Sequence, residues 1–204
     1  MSARPIPTPA PALAMIVVSD IPAGLRALDA LVKQAPVEIL AAGTIQRAGF
    51  MIAFGGQVEP VQQSHARALD SIGTLRVDDV LLAHADERIV PAWLKGRVNK
   101  PGAGDTLGVL QVASPPTLVR AVDAALKGAL VELIELRLAD GLGGRAIATL
   151  WGETHDVQAA VALANAATAL GRSDGATSAV IPNLDPAVRR SLADGTRFFK
   201  EWRG

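Results

Sequence analysis

The chain has 204 residues, half of them hydrophobic, with 20 basic and 20 acidic side chains and no cysteine. A formal net charge of zero supplies no bulk field to displace counterions from nucleic-acid phosphates. The lack of cysteine excludes disulfides, thiolate catalysis and cysteine-ligated iron–sulfur clusters. No apolar run approaches the roughly 20 residues of a membrane span.

Residues 1–12 are rich in Pro and Ala and lack the long apolar run that follows the basic start of a secretory leader. They read as a flexible arm. After them the chain repeats itself. Leu13 to Thr44 aligns without gaps on Leu107 to Leu138, an offset of 94, and eleven positions are identical. Among these are Leu13/Leu107, Val18/Val112, Pro22/Pro116, Arg26/Arg120, Asp29/Asp123, Lys33/Lys127 and Glu38/Glu132. A two-residue insertion then moves the offset to 96, where Gly56 meets Gly152 and Val61 meets Val157. The expected organisation is an arm (1–12), a first domain (13–90), a linker rich in Pro and Gly (91–106) and a second domain (107–204).

Each copy gives the same element order. A strand covers 13–19 and 107–113. Pro22 and Pro116 then sit where a first helical turn tolerates proline, with Ser19 or Asp20, and Ser114, as caps. The helix that follows shows an apolar stripe at Leu25, Leu28, Leu31 and Val32, and at Leu118, Val122, Ala125 and Leu126 in the second copy. A second strand begins at Val37 and at Val131. A glycine-containing turn leads to a third strand at 49–55 and 145–151. A second helix covers 59–71 and 156–170, with Asp156 as its cap, and a fourth strand covers 77–82 and 177–182. The order βαββαβ predicts an α+β fold: two tandem ferredoxin-like units, each an antiparallel sheet with helices on one face.

Chemistry-bearing groups are sparse. His65, His84 and His155 have no His, Asp or Glu partners at metal-binding helical spacing, so no metal site is expected. Ser64 and His65 are adjacent on a helix and do not face each other. The run Gly141-Leu142-Gly143-Gly144 imitates a phosphate loop but leads into a strand, not a helix, so it reads as a hairpin turn. The aromatic cluster Phe198, Phe199 and Trp202 is expected to dock on its own domain or on a neighbour, and Trp93 to pack between the repeats.

The repeated residues resemble bacterial microcompartment shell domains. The run Asp29-Ala30-Leu31-Val32-Lys33, with Asp123-Ala124-Ala125-Leu126-Lys127, is similar to that family's first-helix signature. Val37-Glu38 and Val131-Glu132 fit its second strand, and Gly56-Gln57 to Val61 and Gly152-Glu153 to Val157 fit a later motif. The strand-first order resembles the unpermuted form of the domain. A fused pair resembles the tandem-domain class, in which three chains close into a pseudohexameric tile. The resemblance implies that Lys33 and Lys127, with Asp29 and Asp123, lie at tile-edge contacts. It also implies that the turns Gln46, Arg47, Ala48, Gly49 and Asp140, Gly141, Leu142, Gly143, Gly144 line a central pore. The arginine that many such domains carry after the fourth strand is missing from Leu82-Ala83-His84-Ala85-Asp86 and from Ile181-Pro182-Asn183-Leu184-Asp185.

The function this implies is a structural shell tile: a homotrimer that packs with other shell proteins into a cytoplasmic microcompartment shell and passes small metabolites through its pore. No enzymatic activity, cofactor, nucleic acid or membrane partner is expected. The competing reading is a tandem small-molecule-binding regulator of ferredoxin-like fold.

Overall fold

A computed structural model describes residues 11–94, 96, 98–139, 141–172 and 174–197. It contains two four-stranded antiparallel sheets, ordered β2-β3-β1-β4 and β6-β7-β5-β8. In the first, β1 (Ala12–Val18) lies between β3 (Gly49–Gly56) and β4 (Arg76–Leu82), with β2 (Glu38–Ile45) at the edge. Helices α1 (Ile21–Gln34) and α2 (Val58–Ile72) follow β1 and β3. The second domain repeats the order with β5 (Thr106–Val112), α4 (Pro115–Gly128), β6 (Glu132–Leu138), β7 (Ala146–Gly152), α5 (Thr154–Thr168) and β8 (Thr177–Ile181). Two short helices, α3 (Ile89–Leu94) and α6 (Pro186–Ser191), come after the fourth strands.

The βαββαβ order and the antiparallel sheets agree with the sequence reading. Even the irregularities repeat: β2 slips register between Ile39 and Ala41, and β6 between Leu133 and Glu135. All seven residues of β1 are buried. A strand that is apolar on both faces, Ala-Leu-Ala-Met-Ile-Val-Val, needs cover on both. Ala14, Ile16 and Val18 join Ile52, Phe54, Ala27 and Leu31 in the core beneath α1 and α2. Leu13, Met15, Ala53 and Val80 belong to a different cluster, shared with Val119, Val122 and Leu126 of α4. One apolar core therefore runs from the first sheet into the second domain.

Two details of the helices depart from expectation. In α1 the buried residues are Ala23, Gly24, Ala27 and Leu31, while Leu25 and Val32 are exposed. The inner face is small because the helix lies close to β3: a Cβ on Gly24 would fall 2.4 Å from that of Phe50. The second copy exchanges the sizes, with Leu118 at the position of Gly24 and Ala146 at that of Phe50, both buried. In α5, Glu153 occupies the cap position and Asp156 lies inside the first turn, where a carboxylate favours the helix dipole instead of capping.

The segment between the repeats is partly structured. Ile89 and Ala92 of α3 enter the shared core, with Trp93 packed against it. Asn99 then hydrogen-bonds at the β6 bulge, its N–H donating to Ile134 O at 2.8 Å and its amide to Leu133 O at 2.8 Å. Val98, Leu184 and Leu192 cover Leu107, Ile134 and Trp151 on the second sheet. Phe198, Phe199 and Trp202 lie outside the described residues.

Candidate functional site

The polar residues concentrate in the seam between the domains, where β4 and the turn after it meet α4. Helix α4 opens with Pro115 and Pro116, which have no N–H, and its N-cap Ser114 makes no side-chain capping bond. The first backbone donor, Thr117 N–H, is taken by Asp78 of the other domain at 3.1 Å, and the Thr117 hydroxyl donates to the same oxygen at 2.7 Å. Thr117 Oγ1 in turn accepts from Arg172 N–H at 2.8 Å. A buried carboxylate is tolerable only with such donors; here it also satisfies a helix end that its own domain leaves open.

Further along the seam, Arg120 donates to Asp79 O at 2.9 Å and to Leu170 O at 2.6 Å. Asp79 is held by His65 Nε2 at 3.0 Å and by Arg76 at 3.0 Å. The close contact with His65 pulls its carboxyl below the usual aspartate range, against burial, helped by the charges of Arg76 and Arg120. At the far end, Asp123 accepts from Asp86 N–H at 2.8 Å and pairs with Lys127 at 2.7 Å, while Lys127 also donates to His84 O. Arg88 donates to Val131 O at 3.0 Å and to Leu126 O at 2.9 Å. It pairs with Asp86 at 2.7 Å, and its hydrogen bond lowers the Asp86 carboxyl. An arginine is thus present just beyond the segment from which the family's arginine is missing.

Of the residues expected at a tile edge, Asp123 and Lys127 lie in this seam, with Lys127 still half-exposed, and Asp29 and Lys33 form the corresponding ion pair at 2.7 Å in the open. The two β-turns occupy the opposite end. Val18, the last residue of β1, pairs with Phe50 next to the first turn, and α1 then runs away from it. Gln46, Arg47 and Ala48 are exposed, and Gly49 is buried where the turn enters β3. Arg47 and Ala48 have φ of 67° and 56°, two consecutive left-handed residues that are not glycine. The second turn uses Gly141, Gly143 and Gly144 in that conformation; Leu142 lies between them, and Asp140 falls outside the described residues. The turns touch: Gly144 N–H donates to Gln46 Oε1 at 3.1 Å.

Sequence reasoning missed Asp78, Asp79, Thr117 and Arg88. The signal available was two consecutive acids, Asp78-Asp79, inside a strand, where Asp is unfavourable unless something pairs with it. Arg76 is a local partner for Asp79, but no local spacing names the partner of Asp78.

The described residues contain no group of three or more His, Cys, Asp or Glu side chains able to hold a metal ion, and no helix long and apolar enough to cross a membrane. Compared with known proteins, residues 12–85 and 106–184 each match the BMC domain family. The bacterial microcompartment shell protein PduT of Citrobacter freundii is 28% identical over 189 residues, covering 90% of this chain and 98% of the relative. A solved microcompartment protein from Desulfitobacterium hafniense DCB superposes with a TM-score of 0.73 at 25% identity, over 88% of this chain and 98% of that one. The fused permuted hexameric shell protein of the RMM microcompartment shares the fold, with a TM-score of 0.59 at 24% identity over 78% of this chain and 84% of that one. The chain belongs to the BMC-domain family of bacterial microcompartment shell proteins and carries two copies of that domain in tandem.

Proposed function

We propose that three copies of the chain close into a six-domain tile with a central pore, and that the tile's role is structural. One observation carries this reading: the faces buried between the two domains recur, uncovered, at the two ends of the chain. On α4, Val119 and Leu126 are 0% and 5% exposed against the first domain; at the same positions of α1, Leu25 and Val32 are 52% and 46% exposed. Strand β4 buries Val80, whereas Ala179, its counterpart in β8 by register, is exposed. An α1 face and a β8 edge that repeat a buried α4–β4 seam are complementary head to tail. Such a contact closes a ring when its rotation allows. Alternating the seam within a chain with the same seam between chains gives six domains from three chains.

In that ring the turns Gln46 to Gly49 and Asp140 to Gly144 converge on the axis and line the pore. Arg47 and Asp140 alternate around it, offering small polar metabolites no strong field of one sign. Asp29 with Lys33, and Asp123 with Lys127, mark the outer ends of successive seams. The exposed ammonium groups there are available to neighbouring tiles and to other shell proteins. PduT is named a shell protein of a bacterial microcompartment, and the same structural, non-enzymatic role is the reading for this chain.

Light scattering on the purified protein tests the ring. The expected mass is that of three chains, and Leu25→Glu, on a face exposed in the single chain, is expected to reduce it to one. A wild-type protein that stays monomeric at all concentrations overturns the reading.

A further inference from the structure

We propose that the seams carry a hydrogen-bond code specifying which domain follows which: the β4 face accepts α4 and rejects α1, and α1 instead takes the β8 edge of a second copy of this chain. The inference rests on the ring reading above and adds the residues that order it.

Most polar positions of the seam are the same on the two first helices. Arg26 matches Arg120, Asp29 matches Asp123 and Lys33 matches Lys127. These supply attraction common to either pairing and cannot discriminate. The start of the helix differs. In α4 the local cap is unused and Asp78 of the neighbouring domain takes both donors of Thr117. In α1 the residue at that position is Ala23, which has no hydroxyl, and its N–H is already held by Asp20 Oδ1 at 2.7 Å. If α1 took the place of α4 on β4, the buried Asp78 carboxylate would find a methyl group, an occupied N–H and the carboxylate of Asp20. A buried acid without a donor, beside a like charge, is strongly disfavoured.

The strand partner changes to match. Val17 pairs with Asp78 in the first sheet and Gln111 with Thr177 in the second, so β8 presents Thr177 where β4 presents Asp78, and by the same register Ser178 where β4 presents Asp79. Both are exposed in the single chain. A hydroxyl can donate to the Asp20 carboxylate that an acid would repel. Each seam then has one acid at the helix start, contributed by the strand in one case and by the helix in the other. Rings in which a first domain follows another first domain are thereby excluded.

Four proteins test the code: wild type, Thr177→Asp, Thr177→Asn, and Thr177→Asp combined with Asp20→Ser. Serine retains a capping oxygen in α1. Far-UV circular dichroism and thermal unfolding confirm that each variant is folded, and light scattering over a dilution series gives the concentration at which the trimer dissociates. Thr177→Asp is expected to raise that concentration about tenfold or more, as like charges do when juxtaposed at an interface. Thr177→Asn should change it less than about threefold, and the double variant should return to within about threefold of wild type, well under one tenfold step of affinity. The code is overturned if Thr177→Asp leaves the trimer unchanged, if Thr177→Asn disrupts it equally, or if Asp20→Ser gives no rescue; in each case the ring reading stands. A wild-type monomer overturns the ring and the code together.

Discussion

Helices α1 and α4 are copies of one sequence pattern in opposite surroundings. Both follow a first strand, carry proline in the first turn, end near a lysine and lay a narrow face on their own sheet. Ten residues of α4 are buried, including Asp123 and both prolines, against four of α1. The difference lies in what covers them. The outward face of α4 meets the first domain, and that of α1 meets nothing in the single chain. The apolar residues Leu25 and Val32 therefore stand outside the core of the single chain.

Exchanging the packing of the two copies should give the largest effect. Phe50→Ala empties the space beside Gly24 and is expected to cost about 3–5 kcal/mol in chemical denaturation. Gly24→Leu alone overpacks the same space and costs at least about 1–3 kcal/mol. Together they recreate the Leu118/Ala146 arrangement, so the double variant should be clearly more stable than the sum of the two. Strict additivity would mean that the two copies do not share one packing solution.

The seam comes next. Asp78→Ala strips the donors of Thr117 of their acceptor and is expected to cost about 1–3 kcal/mol. Thr177→Ala, measured in a Leu25→Glu background that keeps chains apart, should stay within about 0.5 kcal/mol, as exposed substitutions do. Equal losses would erase the distinction between β4 and β8.

Acid sharpens the same contrast. The carboxyls of Asp79 and Asp86 are depressed in the folded chain. Each contributes stability that is present above the unfolded value of 3.8 and is lost as pH falls through the lower folded value. Asp79 faces His65, Arg76 and Arg120, so Asp79→Asn should flatten the acid limb of a stability–pH curve, while Ser178→Ala, at the corresponding place on β8, should leave that limb intact. The smallest effect is expected in the turns. Ala48 is left-handed where the second turn uses glycines, and Ala48→Gly should raise thermal stability by up to about 1 kcal/mol, the scale of the left-handed penalty for a residue with a Cβ.

The duplication, the element order and the turns were legible from local information: prolines at helix starts, alternation in strands, glycines between them. The buried face of α1 was legible only in part: Leu31 of the expected stripe is buried, but the rest of the lining is Ala23, Gly24 and Ala27, while the larger Leu25 and Val32 point outward. Hydrophobicity ranks those residues in the wrong order when the helix sits close to its sheet. The seam was illegible for a different reason. Asp78 and Thr117 lie 39 residues apart, and Arg88 and Val131 lie 43 apart. Only the three-dimensional arrangement brings an acid to a helix that lacks its own cap.

The continuous core across the α4–β4 seam also has a kinetic meaning. Because Leu13, Met15 and Val80 share that core with residues of α4 on the same chain, this joint forms as the polypeptide folds and does not depend on how much protein is present. In the proposed ring of alternating seams, half of the joints would then be unimolecular, and the loss of translational and rotational freedom would be incurred only at the others. Dilution therefore acts on one class of seam alone, and a tile that falls apart should release intact two-domain units ready to close again.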